Sequence, residues 1–218
     1  MKLIATDYGT FSEIDHLNDR FKNGTDRLKI TVDTVSPRSL YLERFPQLLF
    51  EILEIFPNLK KHRCSHGQID SRYREYDTSH LVSPIKLVGD VIDTVHLFEH
   101  VILEMQCQIG TMEACSGLTC NYWEPENRYD IFIEADEPLL ASFSCNASLD
   151  LVEKLLYGAK GEHDIHDTIL LAKKLYGEKI GSIKKIGREL TWTQEKVEES
   201  LGRLEAFNFP FSQYRSAA

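Results

Sequence analysis

The sequence lacks any long apolar run. No stretch approaches the roughly 18 consecutive apolar residues that a membrane-spanning helix needs. The N-terminus, MKLIATDYGTFSEID, meets charge too early to hold the apolar region of a signal peptide. Paired cysteines are missing too. The five cysteines, Cys64, Cys107, Cys115, Cys120 and Cys145, are an odd number without a C-x-x-C pair. Reduced, partly buried thiols are therefore expected rather than a disulfide framework. A zinc site built from Cys107, Cys115 and Cys120 matches no common ligand spacing. Positive charge is scarce: 25 Lys+Arg face 34 Asp+Glu, a formal net charge of -9. That balance argues against a broad electrostatic footprint for nucleic acid or an anionic membrane. Internal repeats and low-complexity segments are absent as well. What is present is 218 residues at 42% hydrophobic, enough for one medium domain with a small appendage. A cytoplasmic location is expected.

The first thirty residues are mixed in character. Arg27–Val35 then alternates apolar and polar side chains, as a half-buried strand does, and Ser36-Pro37 ends it. The segment LYLERFPQLLFEILEIFP places Leu48, Leu49, Ile52, Leu53 and Phe56 on one helical stripe closed by Pro57. A polar loop follows from Lys60 to His80. Ser83-Pro84 reads as the start of a helix running to Ile109, with Gly110 at its stop. Val88, Val91, Val95, Phe98, Ile102, Met105 and Ile109 form its apolar stripe. After a loop rich in small residues, RYDIFIEADE predicts a second strand, and Glu137-Pro138 opens a helix that ends near Gly158. From Glu162 onward three short helices with a Thr-Trp-Thr break outline a helix-turn-helix or winged-helix module. The boundary divides the chain into residues 1–160 and 161–218.

The central helix carries His96, Glu99 and His100, an H-x-x-E-H pattern. The two histidines stand one turn apart, so their imidazoles project from one face and can grip one metal ion. Glu99 is placed beside them to polarise a water at the metal and shuttle its proton. Val95, Phe98 and Ile102 take the buried stripe, leaving His96, His100 and Glu104 as a row on another face. A catalytic zinc site usually has three protein ligands. His96 and Glu104 are two turns apart, about 12 Å along the axis, too far for one ion to satisfy both easily. Glu104 is better placed to orient a histidine. The acidic stretch Glu124–Glu137 offers third ligands, with Glu137 preferred and Glu104 and Glu134 as alternatives. His62 and His66, in the H-R-C-S-H-G loop, could line a substrate cleft or supply a ligand. Cys64 has no neighbouring base to make it a nucleophile.

The order F-P-Q-L-L-F-E-I-L-E-I-F-P-N-L-K-K-H-R-C-S-H-G, then H-L-F-E-H-V-I-L-E-M-Q, then Y-D-I-F-I-E-A-D-E resembles the N-terminal domain of cyanophycin synthetase over Val32 to Leu156. The family domain looks like the catalytic unit of the pitrilysin and insulinase type of inverted zinc metallopeptidase. The resemblance thus implies an α+β, pitrilysin-like domain, a sheet packed with helices and the H-x-x-E-H on a central helix, followed here by a small all-α module. It implies a Zn(2+)-dependent hydrolase of peptide or isopeptide bonds, with His96 and His100 as ligands and Glu99 as base. It also raises Glu104, Glu137, Cys64, Ser65 and Gly67 as positions matching the family pattern. Three departures stand out. The synthetase's ATP-grasp and Mur-ligase-like parts are not expected here, so polymer synthesis is not either. QIDSRYREYD replaces the glycine-rich run that follows C-S-x-G. The C-terminal helices have no counterpart in the family domain.

Residues 161–218 carry nine Lys/Arg and nine Asp/Glu, so the whole -9 lies in residues 1–160. An acidic cleft there would favour a peptide or an arginine-bearing polymer as substrate. The helix beginning TQEKVEES has glutamates where DNA contacts want Arg, Lys, Gln or Asn. Nucleic acid and membrane are therefore not expected partners, and the module reads as a dimerisation or partner-docking element. The alternative function is a non-catalytic peptide- or polymer-binding protein with a degenerate metal site; a transcriptional regulator ranks behind it.

Overall fold

The computed structural model describes residues 1–12, 14, 24–62, 67–68, 73–76, 91–135, 137–159, 162–180 and 182–211, without side-chain surroundings for 67–68, 73–76 and 162–163. The class is α+β. Strands β1 (Lys2–Gly9), β2 (Arg27–Asp33), β3 (Gly67–Gln68), β4 (Tyr73–Tyr76), β5 (Gly117–Tyr122) and β6 (Arg128–Glu134) form one sheet in the order β1-β2-β6-β5-β4-β3. Every pairing in it is antiparallel. Helices α1 (Arg38–Ile55), α2 (Val91–Ile109) and α3 (Pro138–Leu156) supply the layer packed on it.

The register follows from the two-residue period of a strand. Leu28, Ile30 and Val32 on β2 stand opposite Ile133, Ile131 and Tyr129 on β6, and all six are buried in the core shared with the helices. The alternate residues face the other way. There Phe132, Leu118 and Cys120 form a smaller buried cluster with Ile14, and Phe11 packs edge-on against Phe132. Buried Asp130 belongs to this second face, held by Lys29 Nζ at 3.0 Å, Thr31 Oγ1 at 2.6 Å and Tyr122 Oη at 2.8 Å. Four strands depart from the expected pattern: β3 and β4 lie within Lys60–His80, read as a polar loop, and the others are β1 and β5. β1 falls where the sequence reads as mixed, and β5 where it reads as a loop of small residues. Neither alternates cleanly: β1 is exposed along most of its length, and β5 is buried on both faces.

α2 is also more buried than a stripe implies. All but two of its residues are buried, because β5 and β6 cover one side and α1, α3 and the later helices the others. The row His96, His100, Glu104 therefore lies inside the protein, at 1%, 6% and 5% exposure, rather than on an outer face. Only the Val91–Ile109 part of the helix expected from Ser83 lies within the described residues.

Beyond α3 come α4 (Glu162–Ala172), which widens into a π turn over Lys173–Gly177, then α5 (Ile183–Leu190) and α6 (Gln194–Ala206). Between α5 and α6, Thr191 adopts the left-handed conformation (φ 55°) and Thr193 Oγ1 caps α6 by accepting from Lys196 N at 3.2 Å. The three short helices and the Thr191–Thr193 break thus fall where the sequence places them. Their apolar side chains, among them Ile165, Ile169, Leu175, Ile186 and Leu204, join the same core as the sheet and α1–α3. Gly177 fits against the end of α2 so closely that a Cβ there would lie 2.7 Å from the Ile109 carbonyl oxygen.

Candidate metal centre

Helical spacing alone sets His96 and His100 side by side: their ring centroids are 4.5 Å apart. Glu99 turns toward them, and one ligand atom from each of His96, Glu99 and His100 lies within 4.8 Å of the others. All three are buried. Burial pushes the His96 imidazole down to about 3. Burial, with His96 and His62 adding to it, holds His100 well below its ordinary value. Both rings are thus neutral near pH 7 and each keeps a lone pair, the form in which histidine binds a metal.

Glu99 is seated by β5. Thr119 Oγ1 donates to Glu99 Oε2 at 2.6 Å. Gly117 lies against the same carboxylate, where a Cβ would come within 2.5 Å of Oε1. The glycine is thus a packing requirement for the position Glu99 holds. Gly117 and Thr119 were not legible as site residues, because β5 was not legible as a strand.

A second layer runs behind His100. His62, at the end of a 3₁₀ turn spanning Pro57–Lys61, places Nδ1 2.8 Å from His100 Nδ1, and its Nε2 3.3 Å from Glu104 Oε2. Glu104 also accepts from Asn58 Nδ2 at 3.2 Å and Gln108 Nε2 at 2.7 Å. Burial raises the Glu104 pKa, but these bonds outweigh it and hold the carboxyl below its ordinary value. An ionised Glu104 only accepts, so His62 donates to it through Nε2, and with that one proton on the ring its Nδ1 accepts. His100 must then donate through its own Nδ1, leaving its lone pair on Nε2. The network thereby assigns one tautomer to a metal-competent histidine, as carboxylates and carbonyls commonly do behind metal ligands.

The structure thus gathers His96, Glu99 and His100 into one group and sets His62 and Glu104 behind it. Glu137 caps the start of α3 half-buried, outside that group. Glu134 accepts from Ser116 N at 3.2 Å and Ser116 Oγ at 2.8 Å. Among the described residues no other His, Cys, Asp or Glu joins the three. Cys64, Ser65 and His66 lie outside the described residues. Cys107 and Cys115 stand together with sulfurs 3.3 Å apart, whereas Cys120 is buried in the small cluster on the far side of the sheet. The two neutral imidazoles suit zinc, and among the described residues Glu99 is the one carboxylate that joins them.

Residues 28–157 match the model of the cyanophycin synthase-like N-terminal domain. That span brackets the Val32–Leu156 resemblance, holds every residue of the centre and leaves α4–α6 outside. No curated protein matches the chain. More than half of the sequence falls within the match, so the chain belongs to the cyanophycin synthase-like N-terminal domain family.

Proposed function

We propose that the protein is a zinc-dependent hydrolase of peptide or isopeptide bonds, acting on cyanophycin-like, arginine-bearing material, with a pitrilysin-like arrangement of its site. The observation that carries this reading is the buried His96–Glu99–His100 group, with its ligand atoms within 4.8 Å. Family membership supports a link to cyanophycin metabolism. The acidic residues 1–160, with 16 Lys/Arg against 25 Asp/Glu, support a cationic substrate.

His96 and His100 would hold the ion, which supplies Lewis acidity toward a carbonyl oxygen and a water. Glu99 accepts the proton of the attacking water and returns it to the leaving amine. Thr119 fixes which way that carboxylate points, and the absent side chain at Gly117 gives it room. Surrounding α2 with sheet and helix keeps bulk water from these charges, which strengthens every interaction within the group. The Glu104–His62 pair keeps His100 oriented.

The experiment is zinc analysis of the purified protein together with hydrolysis of a peptide panel that includes β-linked Asp–Arg material. Wild type should carry about one zinc per chain and cleave a member of the panel. Glu99→Gln should retain the metal and lose at least about 100-fold in turnover, the range general-base removal spans. Equal turnover by the variant would overturn the assignment of Glu99. A second reading, a peptide- or polymer-binding protein with an incomplete site, is favoured by Glu137 standing outside the group. Binding of the β-linked material without cleavage, zinc present, would establish it.

A further inference from the structure

We propose that Cys107 and Cys115 form a peroxide-responsive dithiol whose closure to a disulfide displaces the start of β5 and with it the seat of Glu99. The coupling to turnover rests on the hydrolase reading above; the dithiol itself does not.

Cys107 lies on the last turns of α2 and Cys115 in the segment that leads into β5. Their sulfurs are 3.3 Å apart, and Cys115 Sγ also lies 3.4 Å from the Leu103 carbonyl oxygen. Both cysteines are partly exposed, whereas Cys120 and Cys145 are buried at 0% and 1%. Among the described residues only this pair combines proximity with access for a small oxidant. Hydrogen bonding from Cys115 holds the Cys107 thiol below its ordinary value, and the partner Cys115 is raised by the same contact and by burial. One sulfur is thus the better nucleophile and the other a resolving thiol beside it.

The chemistry balances with a hydroperoxide as oxidant. Cys107 thiolate attacks the terminal peroxide oxygen, the O–O bond breaks, and the departing hydroxide, or alkoxide from an organic hydroperoxide, takes a proton to leave as water or an alcohol. The Cys115 sulfur then attacks the sulfenic sulfur, the S–O bond breaks, and a second water leaves. Two thiols lose two electrons and two protons to one peroxide.

Closure requires the sulfurs to approach from 3.3 Å to roughly 2.05 Å. Cys107 cannot supply much of that movement, because the helix around it is anchored by Met105 and Ile109, both 0% exposed. Thr111, Glu113 and Ala114 on the other side are exposed and can yield. The shift therefore falls on the Cys115 segment. Two residues on is Gly117, already in contact with the Glu99 carboxylate, and two further is Thr119, its hydrogen-bond donor. A displacement near 1 Å at a catalytic group can cost on the order of 100-fold in rate.

The test begins with reduced, metal-free full-length protein and a small excess of hydrogen peroxide, followed by alkylation. The mass should fall by two hydrogens, and peptide mapping should join Cys107 to Cys115. Dithiothreitol should reverse the bond, and Cys107→Ser or Cys115→Ser should prevent it. Recovery of both residues as alkylated thiols, over-oxidation of Cys107 without a cross-link, or a bond to another cysteine would overturn the pair. Backbone amide signals of Gly117 and Thr119 should shift on oxidation in wild type and not in either serine variant, whether or not the protein is a hydrolase. Unmoved signals would overturn the displacement. In the zinc-loaded protein oxidation should slow turnover about 10- to 100-fold, with both serine variants keeping the reduced rate before and after peroxide. A cross-linked protein that turns over as fast as the reduced one would overturn the coupling. Reduced wild type inert toward every substrate would instead sink the hydrolase reading, leaving the mass and amide results to decide the dithiol.

Discussion

His62 gains its meaning from two contacts in opposite directions, one to His100 and one to Glu104. Removing it takes away the contact that favours one His100 tautomer, and the other tautomer cannot offer Nε2 to a metal. His62→Ala is therefore expected to weaken zinc binding about 10- to 100-fold, the usual cost of losing a group behind a metal ligand. Competition against a chromophoric chelator measures it, and unchanged affinity would show that His100 is oriented by something else. His96 makes a separate prediction about acid. Its ordinary value of 6.5 applies to the unfolded chain, while burial brings it to about 3 in the folded one. Between those values the unfolded chain holds a proton that the folded chain does not. The stability that depends on a neutral His96 is thus complete above pH 6.5 and declines as pH falls toward 3. The slope is at most about 1.4 kcal/mol per pH unit for one such group. Urea midpoints of the metal-free protein should fall between pH 7 and pH 5, and His96→Gln should flatten the dependence.

The helix-to-strand approach of α2 and β5 is set by the smallest side chain in it. A Cβ at Gly117 would meet the far end of Glu99, a flexible side chain, rather than backbone. Glu99 can swing away only by giving up its buried hydrogen bond from Thr119. Gly117→Ala should therefore destabilise the protein by about 1–3 kcal/mol while lowering turnover by on the order of 100-fold. A thermal melt beside a rate measurement separates the two effects, and a variant as active as wild type would remove Gly117 from the site. The elements themselves were unequally legible. α1, α3 and β6 declare themselves through periodic apolar residues and proline or glycine at their ends, and α4–α6 do the same on a smaller scale. β1 and β5 do not: β1 is exposed along most of its length, and β5, Gly-Leu-Thr-Cys-Asn-Tyr, carries small and polar residues where β6 carries Ile131, Phe132 and Ile133.

For the molecule as a whole, composition divides the chain near residue 160, whereas packing runs across that point. Ile165, Ile169, Leu175 and Leu204 share the core with α2 and α3, and Gly177 abuts the last carbonyl of α2. Cutting the chain after residue 160 would strip apolar cover from the helix that carries His96, Glu99 and His100. The fragment 1–160 should melt well below the full chain or fail to fold cooperatively, as circular dichroism against temperature would show. A fragment melting at the same temperature would mean that the last helices are an independent appendage. Charge behaves differently from composition. The -9 belongs to residues 1–160, but Asp130 is spent on Lys29, Thr31 and Tyr122 behind the sheet, so not every carboxylate near the motif in sequence is near it in space.

The sequence by itself determined the α+β class, most of the helices, the family blocks and the H-x-x-E-H group. All of these depend on separations of a few residues, which helical geometry converts directly into proximity. Tertiary structure alone decided that α2 is buried all round, that His62 and Glu104 stand together behind His100, that Thr119 and Gly117 hold Glu99, and that Cys107 faces Cys115. Those pairs come from different elements. Their meeting depends on how helices and sheet pack, and no local spacing records that.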